Sequence, residues 1–228
     1  MSVSKEVVGR ILMAILVVTR DNNVPDLKTV AQRCGVDPDL AAQVIEMYWR
    51  AEPSSRVLTA IKALEHGCDP SSVARLLSWG EMESFTMEAG RRTGYRVFGN
   101  IHFREGRKRY QVDLILWRDS VCLIVDCKRW AKPLTGKTLL DVAGRQEVRT
   151  KALAEHLNKV APGGLEVFLY PVVVTVYEPM SRIVGTTCVV PVHTLVSFLN
   201  TVDSGHVSRL YRASISERWS DALLRPHR

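Results

Sequence analysis

The chain has 228 residues, 46% of them apolar and 24% charged, a length that buries one good core, or one core with a small satellite, and a composition that excludes a disordered chain. Five scattered cysteines, an odd number without a C-x-x-C pair, argue against a zinc site, a redox motif or a disulfide framework and fit a reduced, cytoplasmic protein. The net charge of +7 is concentrated: residues 1–90 carry 9 basic and 12 acidic side chains, residues 91–151 carry 15 and 6, and residues 152–228 carry 7 and 6, so a polyanion such as nucleic acid would be drawn to the middle of the chain unless that stretch is merely a solvated basic face.

In chain order, the first elements are helical. The apolar run from Ile11 to Val18 follows Lys5 and Arg10, but it is too short to span a membrane and ends in Thr19-Arg-Asp-Asn without a small-residue cleavage site. It is read as a buried helix from about Ser4 to Val18, and no membrane partner is expected. A second helix covers about Leu27 to Arg33, Gly35 makes the turn, and Asp37-Pro38 caps a third that reaches Trp49. Ser54 opens a helix that stops at Gly67, and Asp69-Pro70 opens another that ends near Leu77. Residues 1–77 thus read as a helical domain.

Within it the stretch Thr29 to Ile45 resembles a helix-turn-helix, with small Ala31, turn-forming Gly35 and apolar positions at the expected offsets. The second helix carries Asp37, Asp39 and Glu46 and no cation before Arg50, so it would repel phosphates. A structural or protein-docking role therefore suits this unit better than DNA reading.

From Ser78 the pattern changes, and residues 78–228 read as an α/β domain. Ser78-x-x-Glu81 is a capping box for a helix that runs to about Thr93 and ends at Gly94. Strands follow at Tyr95–Phe103, Tyr110–Trp117 and Val121–Trp130, joined by the basic loop Arg104–Arg109 and the turn Arg118–Ser120. A long helix runs from about Lys137 to Asn158, and Pro162-Gly-Gly164 then breaks the chain; Leu165–Tyr177 and Thr186–Val190 read as buried strands and Pro191–Val202 as a helix. The order predicts a mixed sheet flanked by helices.

Two strands carry chemistry. Successive side chains on a strand alternate faces, so Asp126 and Lys128 share one face while Cys127 turns to the other. A hairpin with the preceding strand can bring Asp113 beside Asp126. Two carboxylates at adjacent buried strand positions are costly unless a cation compensates them. All-oxygen ligation suits Mg²⁺ or Mn²⁺, and such an ion polarises a phosphodiester oxygen and activates a water nucleophile. Lys128 would orient that water or offset transition-state charge.

Glu83, then Gly94-Tyr95, then Val112-Asp113-Leu-Ile, then Leu123-Ile-Val-Asp126-Cys-Lys128-Arg-Trp130 resembles the PD-(D/E)xK superfamily of restriction-endonuclease-like nucleases, and within it the Mrr-type endonucleases and archaeal Holliday junction resolvases. The resemblance covers about residues 78–200. It implies a restriction-endonuclease-like core acting as a Mg²⁺- or Mn²⁺-dependent DNA endonuclease, with Asp113, Asp126, Glu83 and the Cys127 carbonyl as metal ligands and Lys128 as the motif lysine. It also implies Gln146 on the following helix as a supporting residue. Glu81 and Glu88 compete with Glu83 for the helix position.

Arg104, Arg107, Lys108 and Arg109 lie on or beside a hairpin tip placed one strand away from Asp113, where they are expected to contact phosphates near the scissile bond. Two other readings remain: a nuclease fold that holds nucleic acid without cutting it, and a nucleotide binder through Ala131–Thr138, a relaxed P-loop pattern in which Pro133 removes an amide from the cradle. A homodimer is compatible with all three.

Overall fold

The structure is a computed structural model that describes residues 4–20, 24–52, 54–128, 134–203, 211–216 and 219. Its internal contacts divide the chain into two units, Met1–Phe85 and Thr86–Arg228. The division falls inside one helix, whereas the boundary drawn from the onset of strand signals stands at that helix's first residues.

The first unit holds five helices, α1 (Lys5–Val18), α2 (Leu27–Cys34), α3 (Pro38–Tyr48), α4 (Ser55–Glu65) and α5 (Pro70–Leu76), and the first half of α6 (Trp79–Arg92). The caps act as their sequence implies. Ser4, Asp26, Asp37 and Asp69 each accept a backbone N–H of the first turn, and Gly35 adopts a left-handed conformation (φ 61°) between α2 and α3. The core is built on Ile11, Leu12, Ile15 and Leu16 of α1, all fully buried. Arg56 was not singled out by sequence, yet its guanidinium donates to the carbonyls of Leu16 and Leu76, to Thr19 and to Glu81, and so closes the open ends of two helices. The capping box is formed reciprocally: Glu81 Oε2 accepts from the Ser78 amide at 2.6 Å, and Ser78 Oγ accepts from the Glu81 amide at 3.3 Å.

The second unit is a mixed α/β domain with a seven-stranded sheet. Its elements after α6 are β1 (Arg96–Glu105), β2 (Lys108–Arg118), β3 (Val121–Lys128), α7 (Gly136–Val160), β4 (Pro162–Thr175), β5 (Ile183–Val184), β6 (Thr187–Pro191), a 3₁₀ turn at Val192–Thr194, α8 (Leu195–Thr201) and β7 (Tyr211–Ile215). The sheet order is β1-β2-β3-β4-β6-β5, with β7 also on β4. The first three strands form an antiparallel meander; β3 and β4 are parallel and joined across α7. β7 pairs with the first half of β4 and β6 with its second half, so Pro171, which has no N–H to give, falls between Leu169↔Tyr211 and Val172↔Cys188, where neither ladder has a rung.

α7 buries Leu139, Val142, Gln146, Thr150, Leu153 and Leu157, one stripe at helical spacing, against the sheet. Among its partners are Ile115, Cys122 and Ile124. All five cysteines are free thiols, and burial pushes that of Cys122 up to about 12, as befits an inert core group. Among the described residues no helix is long and apolar enough to cross a membrane.

Several expectations need correction. The basic segment Arg104–Arg109 is not a loop: both strands extend into it, Arg104 pairs with Arg109 and Glu105 with Lys108, and only Gly106 and Arg107 make the turn. Glycine supplies the positive φ (58°) that such a two-residue connection requires. Pro162-Gly-Gly164 does not break the chain but starts β4 as a bulge, in which Pro162 and Leu165 both face Ile215. A side chain at Gly163 would run into the Ile215 carbonyl and the Ser216 nitrogen, so glycine there reflects close backbone approach. The helix expected over Pro191–Val202 is a 3₁₀ turn followed by α8, and β5 and β7 had not been foreseen. Arg129 and Trp130, assigned to the third strand, and Ala131–Pro133 of the P-loop-like stretch lie outside the described residues.

Candidate active site

β2 and β3 are in register through Leu114↔Val125 and Ile115↔Ile124, so the next position along brings Asp113 opposite Asp126. The Cys127 amide donates to Asp113 Oδ2 at 3.3 Å. Asp113 also marks an irregularity in the pleat. The residues packed in the α7-side core are Phe98, then Ile101 and Phe103 on β1, and Tyr110 and Val112, then Ile115 and Trp117 on β2. The alternation slips by one on each strand, at Asn100 (φ 52°) and at Asp113. The slip puts the carboxylate at the point where the sheet surface changes from apolar to polar.

Asp126 is only 3% exposed and is bound by two cations. Lys128 Nζ lies 2.9 Å from Oδ2 and 3.1 Å from Oδ1, and Arg149 Nη1 donates to Oδ1 at 3.0 Å. Both come from the same side of the sheet, Lys128 by strand alternation and Arg149 from α7. Gln146, 1% exposed, donates from Nε2 to the Ile124 carbonyl and accepts the same Arg149 guanidinium on Oε1. Cys127 turns to the opposite face, with its Sγ 3.6 Å from Thr86 Oγ1.

The structure therefore brings together Asp113, Asp126, Lys128 and Gln146 of the expected set. Arg149 was missed. Its signal was available: it stands three residues after Gln146, one turn along the same face of α7. Of the competitors for the α6 position, Glu81 is used in the capping box and by Arg56, and Glu88 is paired with Arg91 and Arg92. Glu83 lies on α6 within the first unit, half-buried. Among the described residues no group of three or more His, Cys, Asp or Glu side chains is placed to hold a metal ion.

The donor chemistry nevertheless fits a hard divalent cation. Burial first, and then the Asp126 charge, raise the Asp113 carboxyl above its ordinary range against the opposing pull of Lys128, the Cys127 amide and Arg149. Burial and the neighbouring charge thus disfavour the ionised Asp113 even with Lys128 and Arg149 present, and oxygen ligands that repel each other suit Mg²⁺ or Mn²⁺. The same imbalance has a consequence for stability. A folded-state pKa raised above the unfolded value favours the fold below the unfolded pKa, and that contribution is lost as the pH rises through the folded value. Asp113→Asn keeps an acceptor for the Cys127 amide and removes the charge. In EDTA at pH 7 it is expected to raise the melting temperature, with the gain lost as the pH falls toward the ordinary carboxylate range. Parallel thermal melts at pH 7 and in that range check this, and a lowered melting temperature at pH 7 would contradict it.

No family model matches the chain, and no curated protein matches it. Among solved structures, the crystal structure of a protein of unknown function, AF1548, is similar over 56% of this chain and 70% of that one, at 15% identity and a TM-score of 0.38. A likeness of that degree carries no argument about function.

Proposed function

We propose that the chain is a divalent-metal-dependent DNA endonuclease with a PD-(D/E)xK-type site on a restriction-endonuclease-like core. One observation carries this reading: a carboxylate 3% exposed, Asp126, with Lys128 two residues on at 2.9 Å and Asp113 on the neighbouring strand, at the C-terminal end of β3 in a sheet whose outer hairpin carries Arg104, Arg107, Lys108 and Arg109. In this reading Asp113 and Asp126 hold Mg²⁺ or Mn²⁺, with the Cys127 carbonyl as the further ligand from this unit that the resemblance implies. The ion, when bound, supplies a Lewis acid for the scissile phosphate and an activated water. Lys128 offsets the charge that develops on the phosphate. Arg149 holds Asp126 from the α7 side, and Gln146 holds Arg149.

The helical unit has a different task. α3 would be the recognition helix of a helix-turn-helix, but Asp37, Asp39 and Glu46 lie on it, so it is assigned to protein docking rather than to DNA.

A second reading rests on its own observation. Asp126 is already matched by two cations, as in a site that keeps the fold's ion pairs and only holds nucleic acid. Incubating the full chain with labelled duplex, branched and single-stranded DNA in Mg²⁺ or Mn²⁺, with EDTA as control, separates the two. Cleavage that EDTA abolishes is expected. Binding without cleavage in either metal selects the non-cutting alternative, and cleavage that persists in excess EDTA excludes the metal site.

A further inference from the structure

The outer half of the β1–β2 hairpin has a face that the active site does not use. β3 accompanies β2 only up to the Leu114↔Val125 pair and the carboxylates beyond it, so among the described residues Lys108–Val112 pair with β1 alone and form a two-stranded ribbon. One side of that ribbon is backed. Ile101, Phe103 and Val112 are buried in one core with Leu153 and Leu157 of α7, and Phe103 stacks on Tyr110 at 5.2 Å. Glu105, at the ribbon's end, is ion-paired to Lys159 of α7, which cancels a negative charge at the tip.

Alternation puts Asn100, His102, Arg104, Arg109 and Gln111 on the other side, where all five are exposed. Asn100 Oδ1 accepts from Gln111 Nε2 at 3.2 Å and lies 2.9 Å from His102 Nε2, so three polar side chains form one ordered surface. Arg104 and Arg109 are direct cross-strand partners, a like-charge pair that destabilises the hairpin by itself. Neither they nor Arg107 and Lys108 has a carboxylate partner among the described residues.

Arg104 and Arg109 on this face, with Arg107 at the turn, suit a polyanion, and the amides and imidazole beside them suit base edges. A ribbon of two strands fits the major groove of B-form DNA, about 12 Å wide, and does not enter the deep, narrow major groove of A-form RNA. We infer that this ribbon face binds duplex DNA in the major groove, with Arg104, Arg107 and Arg109 on phosphates and Asn100, His102 and Gln111 reading bases. The inference deepens the nuclease reading by naming its substrate class, and it corrects the place of the basic residues. Arg104 stands on β1, Arg107 in the turn, and Lys108 and Arg109 on β2, ~13–17 Å from Asp113 along the strand rather than beside it.

The test is binding of the full chain, in EDTA, to a set of DNA duplexes of differing sequence, to the matching RNA duplexes and to single strands, by fluorescence anisotropy from about 50 to 200 mM salt. DNA duplexes should bind at least about tenfold tighter than RNA duplexes. Arg104→Ala with Arg109→Ala should weaken all DNA sequences alike and lower the salt slope by about 2. Asn100→Ala with Gln111→Ala should leave the slope unchanged and compress the spread of affinities among sequences about tenfold. Equal binding of RNA duplexes, preference for single strands, no binding, or wild-type slope and spread in both variants would each overturn the inference. Cleavage in Mn²⁺ is scored separately. A chain that cuts DNA with unaffected ribbon variants loses this inference alone, and one that binds through the ribbon without cutting loses only the nuclease reading.

Discussion

Asp126→Asn is expected to reduce metal-dependent cleavage by at least about 10³-fold, the equivalent of roughly 4 kcal/mol of barrier. Asp126 lies 3% exposed at the end of β3, and its two oxygens receive Lys128 and Arg149. Asparagine keeps the shape and one acceptor but loses the charge on which a divalent cation depends. It also leaves two cations without their anion, and since both are partly exposed and can be rehydrated, the loss of stability should be moderate, about 1–3 kcal/mol by denaturant titration in EDTA. DNA binding in EDTA should be preserved or strengthened, because a negative charge facing phosphate is gone and two positive ones are released. The variant therefore separates binding from cutting. Full cleavage by Asp126→Asn would end the metal-nuclease proposal.

How far this site could be read before the structure depends on the range of the signals. The pair Asp126 and Lys128 is set by strand alternation within three residues, and Asp113 by one hairpin; both are local, and the register places them as that reasoning requires. Capping residues such as Asp26, Asp37 and Asp69 are equally local. What was missed is long-range. β7 is a five-residue strand whose only ladder among the described residues is to β4, more than forty residues earlier, and no periodicity in so short a segment distinguishes it from a loop. Pro162-Gly-Gly164 was read as a chain break because glycine and proline usually end elements, but here the close approach of Ile215 selects glycine within a bulged strand. Arg149 was missed because a cation on a long charged helix looks like a solvated residue. Its role is visible only once α7 is laid across the end of β3.

Lys128→Ala should separate catalysis from metal binding in the opposite sense. In the structure Lys128 Nζ is 2.9 Å from Asp126 Oδ2 and Arg149 Nη1 3.0 Å from Oδ1, so each occupies the carboxylate that a metal would use. Removing one of these competitors leaves Asp126 paired by Arg149 and frees its second oxygen. Mn²⁺ affinity, measured by calorimetry, should therefore be retained or rise severalfold. Cleavage should nonetheless fall by about 10²–10³-fold, because a fixed cation that stabilises developing charge is worth about 3–4 kcal/mol in a preorganised site. Arg149→Ala supplies the contrast. It too should retain or tighten Mn²⁺ binding, but its guanidinium also bonds Gln146, so its loss frees the side chain of α7 that steadies Asp126. Cleavage by Arg149→Ala should fall less than in Lys128→Ala, with partial recovery in Arg149→Lys, which restores the charge but not the fork. If Lys128→Ala lost Mn²⁺ binding in proportion to activity, the lysine would be a support for the carboxylates rather than a group acting on the phosphate.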